Sequence, residues 1–469
     1  MSTRERIVVV GAGMAAVRLV EGLAGAHPAS HQVTLLGDEP HPPYNRILLS
    51  AVLEGTHDPA GITMSLPDEV DLRLGARAVE IHRDEREVEL ADRTRVAYDR
   101  LVLATGSIPT LPPIRGLVRV DGRLDTRVHA FRSLDDCRRL DAAVPAARNA
   151  IVVGGGLLGL QVARALGVRG LATEVVEGGD HLLRSQVDAK AGAILARDLG
   201  KLGTRVYTGA RAVRLTDEGL VLDNGYVLEA DLVVLTAGGR PSTALARRAD
   251  LDVRRGVVVD EQLRTSDERI HAIGDCAQHG MQVTGFVPPA WEQAALLARH
   301  LGGEQVAYTG SRNVARLRAT GLDVAVLGDP ERAEGQVVEV SNPVTGTHRK
   351  LVVRDGVVVA ATLVGDLSRI GLITQHYDRG TVLGPSEPGD LLMGERPAGP
   401  VVLPDDAEVC ACAGVSAGAI RACASLADAR DTTRATTGCG GCAPAVRQLL
   451  AQRQSPGPAL GTTLEGTPR

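Results

Sequence analysis

Four cysteines close to the C-terminus stand in two close pairs. Cys410 and Cys412 form C-x-C, and after 26 intervening residues Cys439 and Cys442 form C-x-x-C. In a reducing compartment, pairs at this spacing point to metal ligation more than to disulfides. Two pairs can bring four thiolates to one centre. The second lies in T-G-C-G-G-C-A-P, where glycines let backbone amides approach the sulfurs and tune a redox potential. Four thiolates also suit tetrahedral zinc, which stays the alternative. The C-x-C spacing, the glycine-rich turns and the redox region upstream favour an iron–sulfur cluster. Cys423 lies between the pairs and is left out of the ligand set.

A second chemistry is written in glycines. G-A-G-M-A-A at 11–16 follows the apolar run Ile7 to Val10, and G-G-G-L-L-G at 154–159 follows Ile151 to Val153. Such turns bend tightly and aim N–H groups and a helix N-terminus at a pyrophosphate. Gly11, Gly13 and Ala16 are the first set, with small Ala16 in the third glycine's place. Gly154, Gly156 and Gly159 are the second. Each turn leads to a second apolar strand, Val33 to Leu36 and Thr173 to Val176, with acids beyond: Asp38 and Glu39 in the first case, Glu177 in the second. A carboxylate there accepts from both ribose hydroxyls of NAD and repels the 2′-phosphate of NADP, so Glu177 predicts NADH. Asp38 is the corresponding ribose ligand of the first turn, uncertain by one residue because Gly37 occupies the strand end.

Two β–turn–α–β units predict an α/β chain with two Rossmann-like domains. Domain boundaries are expected at 1–112 plus 245–300 for the first and 113–244 for the second. Short strands over 305–385 predict a small antiparallel sheet carrying one or two helices, within an α+β domain at 301–390. Gly384 to Pro404 reads as a linker, narrowed to 391–404. A small helical cysteine module at 405–453 and a polar, disordered tail at 454–469 complete the plan.

Composition bounds the rest. The 469 residues are 44% hydrophobic and 23% charged, with net charge −5, which argues against a general nucleic-acid binder. No apolar run reaches the roughly 20 residues of a membrane span, and Met1 to Arg6 resembles no signal segment, so a cytoplasmic protein is expected.

Two further segments carry a resemblance. A-T-G-S-I-P at 104–109 and I-G-D at 273–275, in this order with the turns, are similar to the glutathione-reductase-like flavoprotein reductases. The resemblance implies FAD at the first turn, with Ala104, Thr105 and Gly106 closing over it. It implies that Asp275, after Gly274, hydrogen-bonds the ribityl chain. P-Y-N-R-I-L-L-S at 43–50 is similar to the P-Y-x-R-P-P-L-S-K of ferredoxin reductases, which makes Arg46 a candidate contact to the FAD phosphates; Ala51 replaces the lysine. No Cys lies at 43–55, so the thiol nucleophile of the disulfide reductases is missing. Cys276 reads as a small buried residue. The C-terminal cysteines resemble the bacterioferritin-associated-ferredoxin-like module, which binds [2Fe–2S]. From 5 to 453 the chain resembles the family that includes the large subunit of NADH-dependent nitrite reductase and the electron-transfer subunit of assimilatory nitrate reductase.

The cofactors implied are FAD, NADH and a [2Fe–2S] cluster, used in the order NADH, FAD, cluster, partner. The expected partner is a separate terminal reductase, first of all a molybdenum nitrate reductase catalytic subunit. Other readings are a split nitrite reductase subunit, a reductase for a ferredoxin or oxygenase, and a non-catalytic iron–sulfur sensor. The stretch after Cys442 holds neither a sirohaem nor a molybdopterin domain, so reduction of nitrite or nitrate by this chain alone is not expected. The linker would let the module move, and the 305–385 domain could serve as a homodimer interface or a docking face.

Overall fold

The computed structural model describes residues 4–26, 31–312, 314–393, 403–410, 413–438 and 442–454. The chain divides into two units, Met1–Glu395 and Arg396–Arg469.

In the first unit the strand Glu5–Val10 is the centre of a five-stranded parallel sheet. Its neighbours are His31–Leu36 on one side and Arg100–Leu103 on the other, with Asp71–Arg73 and Ile270–Ala272 at the edges. The strand can be central because it is apolar on both faces: Ile7, Val8 and Val9 are at most 1% exposed. Each such side chain contributes roughly 1.5–3 kcal/mol on burial. The helix Met14–Ala26 crosses over from this strand to His31–Leu36. The chain then leaves that side of the sheet and returns on the other at Arg100–Leu103, which puts a switch point at Gly11.

The second sheet repeats the plan. Asn149–Val153 is central, flanked by Ala172–Glu177 and Leu232–Leu235, with Thr204–Thr208 and Val128–Ala130 outside; all pairs are parallel. The helix Leu157–Val168 makes the crossover.

Residues 314–364 form a five-stranded antiparallel sheet ordered Val314–Ala319, Leu322–Leu327, Val357–Val364, Thr347–Arg354, Gln336–Asn342. The helices Ile370–Arg379 and Glu387–Met393 follow it. The second of these corrects the sequence reading of 384–404 as linker. Leu391 and Leu392 are buried in the core of this domain, so the chain is still packed structure up to Met393. Residues 394–402, the rest of that stretch, and 455–469 of the expected tail lie outside the described residues.

In the second unit the strands Glu408–Cys410 and Val415–Ser416 pair antiparallel. The helices Ala417–Ala422, Leu426–Thr433 and Ala443–Gln454 follow. Ile420, Ala429, Ala435 and Val446 make an apolar core around Cys410, Cys423 and Cys442. Among the described residues, no helix is long and apolar enough to cross a membrane.

Candidate functional site

At the first turn, Gly11 has φ +104°, and a Cβ there would lie 2.3 Å from the Ala104 carbonyl oxygen. Only glycine lets the turn touch the A-T-G segment this closely. At Gly13 a Cβ would meet no atom within 4 Å, so this stretch of backbone faces open space. The following helix carries no acid in its first turn, and nothing there repels an incoming phosphate. Ala16, in the first turn of that helix, is fully buried.

The segments predicted to close the site do come together. Gly274 (φ +73°) packs toward Ala15, and its N–H donates to Gln293 Oε1 at 2.8 Å. The Asp275 carboxylate accepts from Ser107 Oγ at 2.9 Å and from Arg132 Nη2 at 2.8 Å. Thr105 Oγ1 donates to the Ser242 carbonyl, and Ser242 N–H donates to the Gly106 carbonyl. Arg46 is half-buried rather than a surface residue. It pairs with Glu39, donates to the Arg132 carbonyl at 3.2 Å, and lies 5.1 Å from the Tyr44 ring centroid. Tyr44 donates to Glu39 Oε2 at 2.7 Å and accepts from Leu134 N–H; burial raises its hydroxyl pKa. Asp38 is exposed, and its neighbour Glu39 is the acid bonded into this network.

Arg132 escaped the sequence reading. It comes from the loop before the helix Leu134–Ala143, some 140 residues away from Asp275 in sequence. A signal was present in R-S-L-D-D. Ser133 and Asp136 form a capping box, and Asp136 Oδ2 also accepts from Arg132 N–H at 3.0 Å. The box therefore fixes the backbone that aims the guanidinium.

The second turn is tighter. Gly154 has φ +117°, and a Cβ on it would lie 2.7 Å from the Thr236 carbonyl oxygen. A Cβ on Gly159 would lie 1.9 Å from the Gly154 carbonyl oxygen. Gly156 faces open space and caps the helix with no side chain of its own, so first-turn N–H groups remain for an anion. Glu177 ends its strand with both oxygens held by backbone. Gly155 N–H donates to Oε2 and Gly179 N–H to Oε1, each at 2.7 Å. Arg184, the nearest arginine after Glu177 in the sequence, lies beside it, and Arg211, which spacing did not reveal, lies near. Arg184 Nε is 3.9 Å from Oε1, and Arg211 lies along Gly178.

The thiols of the first unit are inert. Cys276 is fully buried beside the Leu103 and Ile273 carbonyls, and burial pushes its pKa up. Burial likewise pushes Cys137 up to about 11. Both are neutral at physiological pH and poor nucleophiles.

In the second unit, Cys410 and Cys442 are 3% and 4% exposed. Cys442 precedes the helix Ala443–Gln454, its carbonyl accepting from Val446 N–H. Its Sγ accepts from Thr436 N–H at 3.2 Å. A buried sulfur at a helix N-terminus, already receiving an amide, fits a thiolate ligand. Cys412 and Cys439, the other expected ligands, lie outside the described residues.

Residues 5–294 match the model of the pyridine nucleotide-disulphide oxidoreductase family, and 408–452 match that of the BFD-like [2Fe–2S] binding domain. A nitrite reductase (NAD(P)H) of Bacillus subtilis is 35% identical over 95% of this chain and 57% of its own length. The assimilatory nitrate reductase electron transfer subunit of the same organism is 31% identical over 95% of the chain and 59% of its own. The nitrite reductase (NADH) large subunit of Escherichia coli is 31% identical over 96% and 55%. The chain thus spans under two thirds of each of these relatives. Among solved structures, a ferredoxin reductase from Rhodopseudomonas palustris superposes with TM-score 0.71 at 26% identity, over 81% of this chain and 96% of its own. The reductase of a putidaredoxin reductase–putidaredoxin complex gives TM-score 0.75 at 24% identity over 83% and 96%, a likeness of fold.

Proposed function

Because the chain belongs to the pyridine nucleotide-disulphide oxidoreductase family and carries a BFD-like module, we propose that it passes electrons from NADH to a separate terminal reductase. Its cofactors are FAD, NADH and a [2Fe–2S] cluster. Bound FAD accepts electrons in pairs and releases them singly, which is what joins a two-electron donor to a one-electron cluster. One observation carries the proposal. Two dinucleotide turns precede a cysteine module, while the body has no Cys at 43–55 and buries Cys137 and Cys276 as neutral thiols. With no dithiol to receive them, electrons leave through the module.

The chain's own residues have positioning tasks. Gly11 and Gly13 open the first turn to the FAD pyrophosphate. Ala104 to Gly106 close it, and Asp275, held by Ser107 and Arg132, takes the ribityl hydroxyls. Arg46 supplies cationic charge for the phosphates, and Asp38 is the ribose contact. Gly154, Gly156 and Gly159 receive the NADH pyrophosphate. Glu177, fixed by two amides, selects the unphosphorylated ribose. Cys410, Cys412, Cys439 and Cys442 hold the cluster. A molybdenum nitrate reductase catalytic subunit is the acceptor we favour, since one relative, of which this chain spans 59%, is named the assimilatory nitrate reductase electron transfer subunit.

Anaerobic titration with NADH tests this, following flavin absorbance and electron paramagnetic resonance together. Flavin bleaching with a half-spin cluster signal is the expected result. Bleaching without that signal, with zinc found by metal analysis, would sink the relay. Turnover with a co-purifying reductase identifies the acceptor.

A further inference from the structure

The helix Leu426–Thr433 ends in an unusual backbone. Arg434 and Thr436 both have positive φ, +63° and +71°. Arg434 is a left-handed C-cap, a common way to end a helix. Thr436 is different, because a β-branched residue is a true outlier in this region and persists only where its surroundings over-determine it. Between them Ala435 is fully buried in the module's core.

What over-determines Thr436 is visible. Its Oγ1 accepts from Arg430 Nε at 3.1 Å, one and a half turns back. The loop is tied further by Thr433 Oγ1, which accepts from Ala435 N–H and donates to the Ala429 carbonyl. Thr437 N–H and Oγ1 both donate to the Arg434 carbonyl. The result of the left-handed turn is that Thr436 N–H donates to Cys442 Sγ, with both residues buried. An amide donating to a ligand sulfur favours the more negative, reduced state of a cluster, and strain kept at a functional site is kept for such a purpose.

We propose that Arg430, through the Thr436 hydroxyl, clamps a left-handed turn whose N–H is aimed at the Cys442 sulfur, and that this clamp raises the reduction potential of the cluster. The inference rests on the cluster reading above and adds positioning residues to it. The step concerned is the gain of one electron by the cluster. No bond is made or broken, and the amide proton stays on nitrogen.

The test uses the full chain, purified anaerobically with FAD and cluster, and redox titration of the cluster signal. At the wild-type midpoint, the reduced-to-oxidised ratio falls about tenfold in Arg430→Ala and in Thr436→Val, about 59 mV for a one-electron couple. Thr436→Ser keeps the hydroxyl and stays within about twofold of wild type by the same reasoning. The Fe–S stretching bands of the wild type shift in D2O, and that shift is lost in Arg430→Ala. Unchanged midpoints in both cluster-loaded variants overturn the clamp, as does a Thr436→Ser midpoint as low as that of Thr436→Val. Should Thr436→Val fail to load, Arg430→Ala decides, because Arg430 is exposed and its loss leaves the core intact. Absence of any [2Fe–2S] signal in the wild type would instead remove the cluster reading itself.

Discussion

The two dinucleotide turns share a pattern but not a construction. In both, the first glycine has positive φ and presses on the carbonyl of a neighbouring strand end, Ala104 for Gly11 and Thr236 for Gly154. They part at the third small residue. The first turn accommodates the methyl of Ala16, whereas the second would place a Gly159 methyl 1.9 Å from the Gly154 oxygen. They part again at the acids after the second strand, where Asp38, the proposed ribose contact, is exposed and its neighbour Glu39 is bonded. Glu177 is held by amides of its own turn and loop, while Glu39 is held by Tyr44 and Arg46 and tied through Arg132 to Asp275. The second site is therefore local, and the first is assembled from segments across the domain. A local site holds a cofactor that comes and goes; an assembled one can retain a cofactor.

The sharpest break of this comparison is Gly159→Ala. Its methyl meets backbone that cannot yield, so kcat/KM for NADH should fall by about 100-fold or more while bound flavin is kept. The reverse change, Ala16→Gly, should keep both activities and cost about 1 kcal/mol of stability from helix flexibility. Equal damage from the two would erase the distinction. Next in size is Asp275→Ala. Loss of a charged hydrogen-bonding group worth roughly 1.5–3 kcal/mol predicts FAD dissociation constants raised about 10- to 100-fold, read by flavin release on dilution. NADH reduction of the remaining holoprotein should survive.

Glu177→Gln tests the local site. It removes the repulsion and leaves Arg184 near the position Glu177 occupies and Arg211 near Gly178, so the NADH-over-NADPH ratio of kcat/KM should narrow by about tenfold. An unchanged ratio would remove Glu177 from the selection. A further effect, on stability rather than on turnover, concerns the first domain's core. His271 on the edge strand is fully buried, 6.0 Å from the His300 ring, and burial, aided by His300, lowers it to about 3. The unfolded chain takes a proton there below about pH 6.5 and the folded one does not until about pH 3. Stability is thus unaffected above 6.5 and falls by about 1.4 kcal/mol per pH unit through that window. His271→Asn should flatten this part of a melting-temperature profile; an identical slope would remove the assignment.

This contrast also explains what the sequence made legible. The strands and glycine turns of both halves could be read because their signals are contiguous, and Glu177 could be read because its site is local. Arg132 and Ser107 could not, because their roles arise from contacts that close only on folding. The strand Val314–Ala319 is not legible because V-A-R-L-R-A carries two arginines in six residues, and it is stabilised by pairing with Leu322–Leu327. The helix Glu387–Met393 was hidden by Pro388 and Gly389, which resemble linker chemistry until Leu391 and Leu392 find a core. Asp38 and Glu39 illustrate the limit of counting along a chain, since adjacent acids end in opposite environments.

The chain contains a single tryptophan, and its place gives the molecule a built-in reporter. Trp291 lies in the helix Val287–Leu301, its indole N–H donating to the Met14 carbonyl where the first glycine turn becomes helix. Its emission therefore reports on the first glycine turn alone, with no second indole to blur it. With FAD at that turn as proposed, its emission should be quenched and should recover on flavin release, so one fluorescence trace would follow occupancy of one half of a two-site protein.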